Sequence, residues 1–579
     1  MRKAFLIAIP VVAGAVAVVV WIAVARNGAA ALRSAAPTTP DLSDRPAEFT
    51  ARIKNAAHAL SGGRPQAALR ELGCLYQANG LRGEAEQVWR ALWRAAPEAR
   101  VAYYIAALRE ATGDLAEEEH WLTSTLRLAP EYAPAQLKLA ELLLKQTRFA
   151  AAAACYEKRL QLLPGDPYAQ LGLARIAIDG HHDPAAAIAR LETITRDHPE
   201  FSSAFNVLAE LYAQKGDEAR AEQLRRRGHD AGRFRNADDA WMEELDEYCY
   251  DPYQLQVLGG IRMQTGRVEA SLPFFEKAVR LAPQDGPAHE TLGDIYLQLH
   301  RLTDAARTLE EGIRVAPKTA ALYSRLSIVL RTQGRPADAV DALRRGLMVL
   351  PDSADLYSDL GVALEESHRA DEAITAYRTA IRLNSSRVEP NLNLGLCLIG
   401  LGNLNEARGP LLRVLELEPE HAKARLALAR LELDLGNLAA AGTHAQRLYE
   451  VHPDQPEARE VLALWYLRAG AAEAKSGRDD EALRLFQAGL AIDPQLSDLH
   501  GNLGVLNARA GRYAAAVENF KSQIANAPTD PKAYLYLGQA LLGAGQREEA
   551  RTALERGLML ARQSDNKDCI SACEALLRQ

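Results

Sequence analysis

The chain has 579 residues, of which 25% are charged, 48% hydrophobic and 6% aromatic, with a net charge of -7. That mild acidity argues against a broad basic face, and so against nucleic acid as a partner. The length suggests several domains, unless something other than one closed core organises the chain.

From Ala4 to Ala25 the sequence is apolar or small, preceded by Arg2 and Lys3 and followed by Arg26. As a helix this stretch would span about 33 Å, enough for the hydrocarbon core of a bilayer. Ala23-Val24-Ala25 offers a small-x-small cleavage site, but the apolar core of a signal peptide is shorter. Residues 1–26 are therefore expected to form an N-terminal transmembrane anchor, with a cleaved signal peptide as the second reading. The chain would meet the membrane through residues 4–25. A short positive amino terminus is expected to stay cytoplasmic. That makes the protein single-pass, with the remainder on the periplasmic or extracytoplasmic side. Residues 27–46, with Pro37, Pro40 and Pro46, read as a flexible spacer.

Beyond the spacer the chain repeats itself. Pro97, Pro130, Pro164 and Pro199 recur at close to 34 residues, as do Pro283, Pro317, Pro351, Ser385, Pro419 and Pro453, then Pro494 and Pro528. Alanine recurs at another phase: Ala305, Ala339, Ala373, Ala407, Ala441, Ala482, Ala516 and Ala550. A fixed period of this length signals a stacked array in which each unit contacts its neighbours. In the unit from Pro287 to Pro317, Leu292, Ile295, Tyr296 and Leu299 share one helical face, and Ala305, Leu309, Gly312 and Ile313 share another. A polar turn at His300 to Thr303 separates two helices. The small residue lets them approach, and the proline ends the unit because it lacks an N–H.

These units resemble the tetratricopeptide repeat. Leu72-Gly73, Tyr76, Ala85, Trp89 and Pro97 carry its pattern, as do Leu360-Gly361 with Ala373 and Tyr377, Ala482 with Phe486, Leu503-Gly504, and Leu537-Gly538. The resemblance runs from about Pro65 to Arg562. It implies an all-α, right-handed superhelical solenoid of about 14 helix-turn-helix repeats, here preceded by one transmembrane helix. Glu118 departs from the pattern at the small-residue phase, Ser385 replaces a proline, and His181-His182-Asp183-Pro184 lengthens a turn by one residue.

Two stretches break the period. Pro199 and Pro283 lie two units plus about 16 residues apart. The surplus holds Arg225-Arg226-Arg227, Asp238-Asp239, Trp241, Tyr248, Tyr250 and Tyr253. The plain reading is a long connecting helix whose aromatics seal a junction. The sharper one is a partner-binding element, since Trp, Tyr and Arg favour interfaces. The expected division is thus a first array over 47–233, an aromatic junction over 234–253, a second array over 254–562 and a capping helix over 563–579. A surplus of seven residues between Pro453 and Pro494 is expected to lengthen one first helix by two turns.

The resemblance also implies a concave groove lined by first helices, whose positions 2, 5, 9 and 12 meet a ligand. Here those positions include Glu290, Asp294, Asp355, Glu365 and Glu389, followed by Lys423 and Arg430. The acids suggest a basic or extended peptide, unless they are ordinary solvated charges. Asn393 and Asn502, at position 6, are candidates to bond a bound backbone.

No catalytic motif is evident: there is no G-x-S-x-G, H-E-x-x-H or P-loop. The six cysteines form no C-x-x-C, and the His181-His182 pair reads as part of a turn. No cofactor, metal or small-molecule substrate is expected, and no enzyme. The favoured function is a membrane-anchored scaffold that joins proteins in a bacterial envelope complex. The alternatives are a receptor or co-chaperone-like binder of extended client peptides, and an accessory repeat protein of a glycosyltransferase or polysaccharide-export system.

Overall fold

The computed structural model describes residues 30–62, 64–231 and 237–578, and among them 31 helices run between Ala47 and Leu577, with no strand. Twenty-eight of the helices pair into 14 antiparallel hairpins, from Pro65–Ala78 with Arg82–Ala95 to Pro531–Gly543 with Arg547–Gln563. The helix Ala47–Ala59 precedes the first hairpin and buries Phe49, Ile53 and Ala56. The helix Lys567–Leu577 follows the last and buries Cys569 and Cys573. The chain forms two compact units, divided between Ala316 and Pro317.

One contact recurs inside the hairpins. The alanine that opens the second helix is fully buried, as at Ala85, Ala305, Ala373 and Ala550. The glycine of the first helix lies beneath a large side chain of the second. A Cβ on Gly361 would sit 2.3 Å from the Tyr377 ring, and one on Gly73 would sit 2.7 Å from the Trp89 ring. Small residues on one helix thus make room for a ring or branched side chain on the other, which interdigitates at interior density.

The turn inside each hairpin needs one residue with positive φ. Ten hairpins place glycine there, among them Gly80 at 77° and Gly545 at 79°. The other four use Thr147, His182, His300 and His368, at 50–60°. His182 therefore serves as a turn residue. Asp183 caps the next helix, its side chain accepting the Ala186 N–H at 3.0 Å.

The anchor expected over residues 4–25 lies outside the described residues. Among the described residues no helix is long and apolar enough to cross a membrane. The longest, Pro456–Lys475, has 20 residues; it carries Glu457, Arg459, Glu460, Arg468, Glu473 and Lys475, charges that are costly in hydrocarbon. The single-pass membrane placement is corrected on this finding. That helix instead accommodates the seven surplus residues, since its counterpart Ala422–Asp434 has 13.

Glu118 stands at the buried small-residue phase with 6% exposure. Burial, then nearby Glu110, push its carboxyl above the usual range. Glu118→Ala is expected to stabilise the first unit at pH 7 by about 1–3 kcal/mol. A raised carboxyl pKa costs stability only once the group ionises, so the gain should shrink as pH falls through the raised pKa and be gone below about 4. Urea unfolding at both pH values reads this. Thr147→Gly should add about 1 kcal/mol by relieving a β-branched residue held at positive φ, seen as a higher unfolding midpoint.

Candidate functional site

In the first unit, residues 237–253 do not form a long helix. They carry one seven-residue helix, Ala240–Asp246, and lie across the first helices of hairpins one to three. The basis is a set of contacts between residues more than a hundred positions apart. Asn79, at the end of Pro65–Ala78, donates its amide to the Tyr248 carbonyl at 2.8 Å and accepts the Tyr250 N–H at 2.6 Å. One side chain so holds the backbone on either side of Cys249 through two hydrogen bonds. Asn79 is 6% exposed, where unpaired polar atoms would be costly.

Side chains hold the rest of the segment. The Asp239 carboxylate accepts hydroxyls from Tyr103 and, at 2.6 Å, from Tyr132. It also caps its own helix through the Met242 N–H at 3.2 Å. Trp241 stacks on Tyr132, with centroids 3.5 Å apart and planes at 12°, and meets Tyr103 edge-on at 5.6 Å. Its carbonyl accepts the Tyr104 hydroxyl at 2.9 Å. Arg100 pairs with Glu244. Tyr250 lies under Lys277, whose ammonium is 3.8 Å from the ring centroid, and its hydroxyl accepts from Arg52 at 3.1 Å. Tyr248 takes the Arg52 guanidinium on its face at 4.8 Å. Tyr253 stands apart, 71% exposed.

Burial and the facing charges shift these groups. Tyr103 is pushed up by burial and then by Asp239, and Tyr132 by burial and then by its hydrogen bond to Asp239. The Cys74 thiol is pushed up to about 12 by burial and then by Glu244. The repeat pattern does not single out Asn79, Tyr103, Tyr104 or Tyr132. The consecutive pair Tyr103-Tyr104, in a chain only 6% aromatic, was the available signal.

The expected groove residues fall in both units. Glu290 and Asp294 are half-buried on Gly286–Gln298, in the first unit. The others lie in the second unit. Asp355 and Glu389 share Arg387, at 2.9 and 3.5 Å. Glu365 accepts the Tyr377 hydroxyl. Arg430 pairs with Glu460 at 3.0 Å, and Lys423 is exposed. Asn502 donates to the Asp498 carbonyl of its own helix at 2.7 Å; Asn393 is half-buried. Asp355, Glu389 and Arg430 are thus matched by neighbouring charges of opposite sign.

A row of aliphatic side chains runs between these charges. Ile328, Val362, Leu396, Leu464 and Val505 occupy the same position in successive first helices, with Arg430 replacing one of them. Ile328, Val362 and Leu464 are half-buried, while Leu396 and Val505 are exposed. Among the described residues no group of three or more His, Cys, Asp or Glu is placed to hold a metal ion. All six cysteines are free thiols, and five of them are buried.

A family model described as tetratricopeptide repeat matches residues 137–180, 179–234, 325–387, 358–419, 392–456, 426–497 and 472–531. A second model with that description matches 262–327 and 507–567. The chain belongs to the tetratricopeptide repeat family. The matches fall on hairpins three to fourteen, and an array of such units serves protein–protein interaction. Similar solved structures include YrrB, described as a tetratricopeptide repeat protein with an unusual peptide-binding site. It is 22% identical with a TM-score of 0.27, and the match covers 32% of this chain and 95% of that one. PilF of Pseudomonas aeruginosa is 18% identical with a TM-score of 0.31, over 36% and 95% of the two chains. PilW, described as a type IV pilus biogenesis factor, is 16% identical with a TM-score of 0.33, over 36% and 98%. Likeness at this level carries nothing about the partners of this chain. No curated protein matches it.

The Asp239 seat yields a prediction. Asp239→Ala removes a carboxylate that accepts the buried Tyr103 hydroxyl and the half-buried Tyr132 hydroxyl, and is expected to lower first-unit stability by about 1.5–3 kcal/mol. A raised tyrosine pKa contributes stability below the ordinary value near 10 and loses it as pH rises further. The wild-type first unit should therefore weaken above about pH 10, and Tyr103→Phe should reduce that dependence. Urea unfolding followed by tryptophan fluorescence at neutral and alkaline pH measures both.

Proposed function

We propose that the protein is a non-catalytic scaffold that holds a protein or peptide partner on the first-helix faces of its second unit. The supporting observation is the row Ile328, Val362, Leu396, Leu464 and Val505, kept in register yet partly open to water. Isolated surface aliphatics need no explanation, whereas a row repeated in register, interrupted at Arg430, offers a partner apolar area. The charges beside it are largely matched within the chain, so they set orientation and specificity more than affinity. Asp355 and Glu389 in particular share Arg387, which weakens the case for a strongly basic ligand. The envelope setting depended on the anchor and does not enter the proposal.

A photo-crosslinking residue at position 396, in cells that express the protein, is expected to give one or two discrete adducts. The same residue at Arg378, exposed on the second helix of its hairpin, should give few. Leu396→Arg should weaken binding of the captured partner by about tenfold or more with helicity unchanged. Equal crosslinking from both positions would overturn the proposal, and many unrelated adducts at 396 would favour a client receptor.

A further inference from the structure

The segment Asp239–Tyr250 is packed unevenly. Leu245, Cys249 and Tyr250 are buried, while Trp241, Met242 and Tyr248 are half-buried. A cavity of about 840 Å³ beside the segment, lined in part by Tyr168, Phe201, Met242 and Arg262, remains open. The segment also lies outside the repeat period and touches its seat through groups suited to a visiting chain. Asn79 takes the backbone, the phenols of Tyr103 and Tyr132 take a carboxylate, Tyr132 takes an indole face, and Arg100 takes a second carboxylate.

We propose that the first helices of hairpins one to three form a binding groove for a short acidic, aromatic segment, which the chain occupies in cis with its own Asp239–Tyr250. The groove reads an Asp two residues before a Trp, a Glu three residues after it and a Tyr nine residues after it. Residues 239, 241, 244 and 250 supply that pattern. A tether presents its segment at an effective concentration in the millimolar range. Cis occupancy therefore excludes peptides of the same chemistry until the segment is released. The inference rests on the reading of the chain as a peptide holder, but concerns the first unit rather than the second.

The test uses the full chain and a fluorescent peptide of residues 238–252. The wild type is expected to show no saturable binding up to about 100 μM, because the tethered copy competes at millimolar effective concentration. The double variant Asp239→Ala/Trp241→Ala should bind the peptide in the micromolar range. A peptide with the same two replacements should not bind it. Adding Asn79→Ala to the double variant should weaken binding by about tenfold or more. Equal binding by wild type and variant, or no binding by a double variant of unchanged helicity, would overturn the proposal. If the double variant loses helicity, hydrogen exchange on the wild type decides. The amides of Trp241 and Tyr250 should exchange well before those of the helix Ala99–Glu110. Exchange of all of them in one step would mean core rather than ligand, and would overturn it. Crosslinking at position 396 is unaffected by any of these outcomes, so the two readings fail separately.

Discussion

The closeness of the two helices in each hairpin is the constraint on which the rest depends. Gly361 leaves room for the Tyr377 ring and Gly73 for the Trp89 ring, and the alanine near the start of most second helices is shielded from water. Each hairpin therefore finishes its own seam, and neighbouring hairpins share a second one, as Arg82–Ala95 does with Ala99–Glu110. Packing of this kind is local, and stability accrues by neighbours rather than by one closed core. It also leaves one face of each first helix outside both seams.

The two units treat that spare face differently. In the first, hairpins one to three are covered by residues 239–250, through a backbone clamp from Asn79 and a carboxylate held by two phenols. In the second, aliphatic side chains recur in register and stay partly open. Several charges beside that row are matched within the chain, as Arg387 is with Asp355 and Glu389. Such exposed pairs contribute little to stability. Their effect is to leave the aliphatic row as the uncommitted feature of the face.

Chemistry that looked suggestive in the sequence has structural explanations. The His182 backbone makes a left-handed turn, a conformation that polar residues accept more readily than branched ones. Cys569 and Cys573 are one turn apart and both buried in the terminal helix, which suits small apolar side chains. The aromatic cluster around Trp241 was legible as an exception in a chain poor in rings. Its seat was not, because Tyr103, Tyr132 and Asn79 lie 107 to 171 residues from the atoms they hold.

Taken alone, the sequence determined the all-helical class, the number and phasing of the hairpins, the glycine and alanine seams and the lengthened helix of the twelfth hairpin. Each of these follows from contacts within one period, so a 34-residue window contains the cause. Tertiary structure decided where the irregular segment lies, which acids are neutralised and which first-helix faces stay open. Those outcomes depend on groups brought together from distant units, and a repeating pattern carries no record of which distant residues will meet. The same holds for Glu118, whose departure from the pattern was plain but whose burial beside Glu110 needed the folded chain.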